Sequence, residues 1–422
     1  MNKTIHIIGG GLAGLSCAVK LLKYKKKIVL YESSNLFGGR CRSYKDKDFK
    51  CHLDNGNHLI IKAYKNTFKY LKEINATKYL KSNENTFYPF IDIKNLENWL
   101  VKPYSYFFPW WILFSSCRPL GVSIFDFIKS FKFAFAKNYQ TVFELTNENS
   151  LIYKRFWEPF TIAVLNTHPK EASAKLLWNI ISKTSFFTNN PLKPFVAKES
   201  LDKSLIKPSI KKIKEEGGVI KNNFRLTKIN LENNHANKII SQNQKIIIKN
   251  GDMIVLAIPP NGLNKILPNI NTPIKTNCIV NVHFKLNKIL IKKIIFPKNF
   301  FFIGVINGLI DWIFKKDNVL SITISAANDL DIYDNEKISK LIWKEIELIF
   351  NLQKNNMPKY KVIREKMATF VQSPKEIFKK PKMITSYSNI FLAGDWIDNG
   401  LPATIEGAVT SGYKVANHIN KI

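Results

Sequence analysis

The sequence predicts an α/β fold: a parallel-sheet unit that opens at the N-terminus and closes at the C-terminus, interrupted by inserted α+β segments. Three observations carry this expectation. The run Thr4 to Ile8 is largely β-branched and passes through a glycine turn into a helical pattern. The stretch FLAGDWIDNGLPATIEGAVTSG, 391 to 412, supplies another short strand, turn and helix start close to the end of the chain. Between them, strand-like runs alternate with helical ones.

In order, the first signal is Gly9-Gly10-Gly11-Leu12-Ala13-Gly14, followed by helical spacing from Leu15 to Leu22. The glycines differ in what they allow. Gly9 permits the tight turn, Gly11 lets a pyrophosphate reach the backbone, and Gly14 lets helix and strand pack closely. Lys27 to Tyr31 reads as the second strand and ends on Glu32, placed to accept hydrogen bonds from a ribose diol. An acid there repels a ribose 2′-phosphate, so the expected ligand is NAD or FAD. Gly38-Gly39 with Arg40, then the turn Asp54-Asn55-Gly56-Asn57-His58, let the backbone approach the ligand again. Together they describe a ligand longer than one nucleotide half.

Beyond residue 62 the glycine-rich character stops and aromatic stretches follow, FYPFIDI at 87 to 93 and YSYFFPWWILF at 104 to 114. Pro103 and Pro109 break the second too often for a transmembrane helix. Glu199 to Glu216 reads as one helix stopped by Gly217-Gly218, with strands after it, and KNGDMIVLAIPP (249 to 260) as a central strand. From 266 to 384, CIVNVHFKL, FFIGVI and LSITISAA read as strands and Asn335 to Phe350 as an amphipathic helix. The expected domains are 1–62, 195–265 and 385–422 for the nucleotide unit, and 63–194 with 266–384 for a substrate unit.

Composition bounds the function. An apolar content of 45% with 13% aromatic residues belongs to a folded protein. The formal charge of +32 is mostly lysine, spread along the chain as background composition. No nucleic-acid signature accompanies it, and a peripheral attraction to acidic lipid is the use it suggests. Cys17, Cys41, Cys51, Cys117 and Cys278 make no CxxC pair, so neither a metal site nor a disulfide framework is expected. No apolar run reaches the roughly 18 residues of a membrane span. A cytoplasmic protein is expected, touching the inner membrane only at its surface, through residues 104–117.

GGGLAGL, ESSNLFGGR, LAGD and PATIEGA resemble the amine oxidase and phytoene desaturase superfamily of FAD flavoproteins. The resemblance implies an FAD-binding Rossmann-like (GR2-type) domain with an inserted α+β substrate domain. It implies cofactor contacts at Gly9, Gly11, Leu12, Ala13, Gly14, Glu32 and Ser33, at Gly38, Gly39 and Arg40, and at Asn55, Gly56, Asn57 and His58. Leu226, Gly394, Asp395, Ala403, Thr404 and Ile405 complete that set. Asp395 is expected to accept a hydrogen bond from the FAD linker, and a helix starting near Pro402 to aim its amides at the flavin.

Longer strings, among them FFPWWIL, RFWEPFTIAVLNTHPKEAS, VINGLIDWIF, SITISAA, REKMATF and LAGDWIDNGLPATIEGA, resemble the hydroxysqualene dehydroxylase family through nearly the whole chain. That resemblance implies reductive removal of the hydroxyl from hydroxysqualene to give squalene, with an external, NAD(P)H-linked electron donor. Phe90, Trp110, Trp111, Trp157, Asn166, Trp312 and Leu401 are the expected substrate contacts. The acid that protonates the leaving hydroxyl is left among Glu158, Asp311 and His58. Glu406 is assigned to a helix terminus rather than to catalysis. A carotenoid-type polyene desaturase and a non-catalytic prenyl-lipid carrier are the competing readings.

Overall fold

The computed structural model describes residues 3–104, 109–185, 190–297, 300–352 and 356–422. Among these, a five-stranded parallel sheet runs in the order Val219–Lys221, Lys27–Tyr31, Thr4–Ile8, Met253–Leu256, Ile390–Leu392. Its central strand is largely apolar because both faces are covered: Ile5 and Ile7 are buried against helices, and Ile8 against the three-stranded antiparallel sheet Leu226–Glu232, His235–Ser241, Lys245–Ile247. The three stretches that supply it are far apart in sequence, so the sheet closes only when the last strand, Ile390–Leu392, pairs with Met253–Leu256.

The first helix, Leu12–Lys23, lies against the C-terminal helix, Ile405–Ile419. The approach needs a glycine: a Cβ on Gly412 would stand 2.3 Å from the Ala13 carbonyl oxygen. That close crossing is why the helix Ile405–Ile419 carries a glycine at position 412.

A seven-stranded sheet forms the second layer, in the order Tyr360–Phe370, Thr276–Lys285, Val319–Ile324, Trp312–Lys316, Phe302–Ile306, Tyr88–Asp92, Glu97–Val101. It draws strands from both inserted segments. The helix Asn335–Ile349 buries Ile338, Ile342 and Ile346, a four-residue spacing that makes one apolar stripe. Asp334 starts it by accepting the Lys337 amide at 2.7 Å.

Two helices carry a widened turn, Tyr153–Trp157 and Asp202–Ile206, and each widening ends just before a proline, Pro159 and Pro208. Proline cannot donate to the turn behind it and its ring crowds the carbonyl there, so the helix opens to admit it. The stretch expected as one helix from Glu199 is one continuous helical run over 201–215, with the wide turn Asp202–Ile206 leading directly into Lys207–Glu215. A correction concerns the terminal helix. It begins at Ile405, not near Pro402, because Thr404 caps it by accepting the Gly407 amide at 3.2 Å. Among the described residues, no helix is long and apolar enough to cross a membrane.

Candidate active site

One cavity of about 1120 Å³ runs from the glycine turns into the aromatic part of the inserted segments. That is larger than the roughly 300 to 1,000 Å³ of an ordinary small-molecule site and gives room for two ligands end to end.

At its first end the wall is largely backbone, with Gly9, Gly11, Gly38 and Gly39 in the lining. Gly9 has φ +113°, and a Cβ there would meet the Ala257 oxygen at 2.3 Å. A Cβ on Gly14 would lie 1.9 Å from the Gly9 oxygen, so Gly14 serves packing and does not itself line the cavity. Gly11 is different: a Cβ there would meet nothing within 4 Å and would project into open space at the start of the first helix. That space has the form of a cradle, open before a helix start whose free amides suit an anionic group. Leu12, Ala13 and Ser33 line the same end. The Glu32 carboxylate accepts from the Gly10 amide at 2.8 Å and the Ser34 amide at 3.0 Å, which fixes its direction beside the cradle.

In the middle, Arg40 donates to the Ala368 carbonyl at 2.6 Å and to Asp395 Oδ1 at 2.7 Å. Asp395 is thus partnered by a side chain at the other end of the sequence, a pairing that sequence reasoning missed. Gly38, Gly39 and Gly394 lie along the same wall. Asn55 donates to Glu365 at 2.8 Å, and Asn57 to the hydroxyls of Ser321 at 3.1 Å and Thr323 at 2.9 Å. These bonds tie the turn holding Gly56 and His58 to the seven-stranded sheet. Burial, with the Arg40 charge acting in the same direction, pushes His58 down to about 4. Its imidazole is neutral at neutral pH, which makes it a poor proton donor there. Ala403, Thr404 and Ile405 bring the start of the C-terminal helix to the same wall.

The far end is aromatic. Phe90 stacks on Trp99 with ring centres 5.8 Å apart and meets Trp312 edge-on at 5.6 Å. Gly304 pairs with both Phe90 and Trp312 across its two neighbouring strands, and a Cβ on it would stand 2.5 Å from the Phe90 ring. The glycine is what lets both rings settle over the sheet. Trp111, Phe127, Phe156 and Phe160 form a second group, with centres 5.2 to 5.6 Å apart along that chain except for Trp111 to Phe156 at 6.1 Å. Trp157 lines the cavity and spends its indole N–H on Ser130 at 3.0 Å.

Several expected contacts lie elsewhere. Leu226 does not line the cavity; it is buried in an adjoining core while its neighbour Arg225 faces the opening, as alternation along an extended chain requires. Trp110 is exposed, since only one of two adjacent residues in a tight turn can point inward and Trp111 does. Leu401 is outside the lining, and its carbonyl accepts Lys380 Nζ at 3.0 Å. Asn166 lines the cavity but its amide is committed to the fold: its oxygen accepts the Ala326 amide at 2.7 Å and its nitrogen donates to Thr369 at 3.0 Å. Glu158 is not at the cavity wall and lies 3.4 Å from His168 Nε2. Asp311 stands just behind the wall, accepting the Ser325 amide at 2.5 Å, and burial pushes it up to about 7. Glu406 accepts the Asn66 and Thr67 amides at 3.0 and 2.8 Å, so it caps the helix Lys65–Glu73 rather than its own. Among the described residues, no cluster of His, Cys, Asp or Glu could hold a metal ion.

The model of the flavin containing amine oxidoreductase family matches residues 12–420. The chain is 32% identical to hydroxysqualene dehydroxylase of Zymomonas mobilis, covering 98% of each chain. It is 22% identical to 15-cis-phytoene desaturase of Synechococcus elongatus, covering 98% of this chain and 95% of that one. Cyclohexylamine oxidase of Brevibacterium oxydans superposes with a TM-score of 0.72 at 11% identity, covering 100% of this chain and 99% of that one, a likeness of fold alone. A flavin fits the residues present: an open glycine cradle, an acid beside it, and a cavity that continues past both. The chain belongs to the flavin-containing amine oxidoreductases and, within them, to the hydroxysqualene dehydroxylase family.

Proposed function

We propose that the protein binds FAD and replaces the hydroxyl of hydroxysqualene by hydrogen, giving squalene. The observation that carries this reading is the continuity of one cavity from the glycine cradle to an aromatic chamber. FAD, rather than a shorter flavin, suits the dinucleotide turn at Gly9, Gly11 and Gly14 and the ribose-facing Glu32. When bound and reduced, the flavin supplies a hydride. The protein's own part is to orient the chain-like substrate, exclude water, and stabilise charge as the hydroxyl leaves. Departure of water from an allylic alcohol leaves a delocalised cation. The ring faces of Phe90, Trp312, Phe156 and Trp157 attract such a cation and shield it from water.

Access to the substrate argues for a membrane surface. At about 0.8 kcal/mol per buried CH₂, a thirty-carbon polyene is held out of water by on the order of 20 kcal/mol. The segments around the chamber mouth expose large apolar side chains: Trp110 at 53%, Phe114 at 53%, Phe125 at 67% and Phe135 at 84%. Phe131 is both exposed and part of the cavity lining, so the patch and the chamber meet. Lys129, Lys132 and Lys137 lie in the same stretch and suit anionic lipid headgroups. Phe107 and Phe108, expected to share this contact, lie outside the described residues. In this reading the protein sits on the cytoplasmic face of the inner membrane and takes electrons from an external, NAD(P)H-linked donor.

The test is direct. The purified protein should be yellow, and with hydroxysqualene and a reductant it should form squalene. A colourless protein removes the flavin from the account and favours a prenyl-lipid carrier. A yellow one that forms no squalene but dehydrogenates a polyene makes it a desaturase.

A further inference from the structure

Loss of a hydroxyl needs a proton at the leaving oxygen, and the three acids that line the cavity are already engaged. Glu32 is held by the Gly10 and Ser34 amides, Asp395 by Arg40, and Glu365 by Asn55. All three stand at the cradle end or the middle of the cavity, and none belongs to the aromatic groups.

The aromatic chamber also has a polar spot of a different kind. Along the strand Val319–Ile324 and just past it, Ser321, Thr323 and Ser325 occupy alternate positions, so their hydroxyls share one face. Ser321 and Thr323 take the Asn57 amide beside the flavin turn. Ser325 lies two residues on, roughly 7 Å further along the strand, and it lines the cavity beside Trp312. Behind it stands Asp311, which accepts the Ser325 amide at 2.5 Å and whose carboxyl the Ser325 side chain lies close enough to influence.

We propose that Ser325 touches the substrate hydroxyl and that Asp311, behind it, is the proton reservoir for the departure of water. This rests on the dehydroxylase reading. The Asp311 carboxyl gives its proton to Ser325 Oγ as the Ser325 hydroxyl gives its own to the substrate oxygen. The C–O bond breaks and water leaves. A bound, reduced flavin would supply the hydride for the new C–H bond and with it the two electrons that the reduction requires. The carboxylate left behind is reprotonated from solvent, with which Asp311 keeps some contact.

The surroundings favour a carboxyl that holds its proton. Burial raises the affinity of Asp311 for a proton most; the Ser325 amide and side chain act the other way, and the charged groups facing it, Glu158 and Glu345, are both acids and raise it further. Glu158 is itself near His168, at 3.4 Å. Glu345 accepts the Leu309 and Ile310 amides at 2.7 and 3.1 Å, which anchors the turn that presents Asp311.

The test uses the FAD-loaded enzyme, reduced, in single turnover with hydroxysqualene from pH 5 to 9, comparing wild type with Asp311→Asn and Ser325→Ala. Wild type should slow about tenfold per pH unit above about 7. Both variants should be at least a hundredfold slower at pH 6 and lose that pH dependence. A carboxylic C=O infrared band titrating near neutrality should be present in wild type and absent from Asp311→Asn. If either variant keeps the wild-type rate and profile, Asp311 only caps the strand end and the relay is wrong. If Asp311→Asn does not fold, Ser325→Ala, which removes one hydroxyl, decides alone. No squalene from wild type overturns the dehydroxylase reading itself, and the relay with it.

Discussion

Gly11 and Gly14 differ by three positions and should fail in opposite ways when each is changed to alanine. Gly11 has φ −76° and ψ 178°, extended backbone that any residue adopts, and its added Cβ would meet nothing within 4 Å. Alanine there reduces the freedom of the unfolded chain, a gain of about 0.4 to 1 kcal/mol, and is a poorer helix cap, a loss of similar size. The stability of the flavin-free protein should therefore move by less than about 1 kcal/mol. The methyl, however, occupies the space through which a pyrophosphate reaches the helix amides. Losing one charge-assisted hydrogen bond costs about 1.5 to 3 kcal/mol, roughly a ten- to hundredfold weaker affinity for FAD. At Gly14 the Cβ would stand 1.9 Å from the Gly9 oxygen, more than 1 Å inside contact, and moving that backbone should cost about 1 to 3 kcal/mol of stability or more. Denaturant unfolding of the flavin-free proteins and titration with FAD separate the two effects. A Gly11→Ala protein that binds FAD within twofold of wild type would refute the cradle.

Other consequences are as concrete. Replacing Trp110, Phe125 and Phe135 together by serine removes about 1 to 2 kcal/mol of membrane burial at each position, and binding to anionic liposomes in co-sedimentation should fall by at least a hundredfold while flavin content is unchanged. Glu406→Gln leaves the helix Lys65–Glu73 with a weaker cap and should lower unfolding stability by about 1 to 2 kcal/mol in denaturant titration. Asp311 gives a pH signature of known sign: its carboxyl is raised from the usual value near 4 to about 7, so the folded state holds a proton that the unfolded state has lost. That group's contribution is greatest below pH 4 and is lost as pH rises to 7, so the stability of wild type relative to Asp311→Asn should fall across that window.

The parts legible in the sequence were those whose physical demand singles out one residue type. A tight turn, a close backbone approach and a helix start can each be read from Gly9, Gly11 and Gly14, because no other residue meets all those needs. The strands of the parallel sheet were legible because burial on both faces leaves a continuous apolar run, as at Met253–Leu256. Pairings across long separations left no local trace. Arg40 and Asp395 are 355 positions apart, and Asn57 reaches hydroxyls on a strand of the other sheet. Pro402 and Thr404 both signal a helix start, and only packing decides between them: the Pro402 carbonyl lies 2.4 Å from where a Gly407 Cβ would be, so the turn folds across the helix end and Thr404 takes the cap. The role of Ser325 had no sequence signal of its own, since one hydroxyl in SITISAA looks like its neighbours until the strand and the turn that carries Asp311 are brought together.

Whether this cavity carries out a reductive loss of hydroxyl is tested most directly by anaerobic mixing of the fully reduced, FAD-loaded protein with hydroxysqualene. Flavin absorbance and the terpenoid product are followed in the same sample. One squalene should form per flavin oxidised, with no other reductant present. Flavin that stays reduced in the presence of hydroxysqualene, or flavin that is oxidised with no squalene formed, would contradict the proposed reaction.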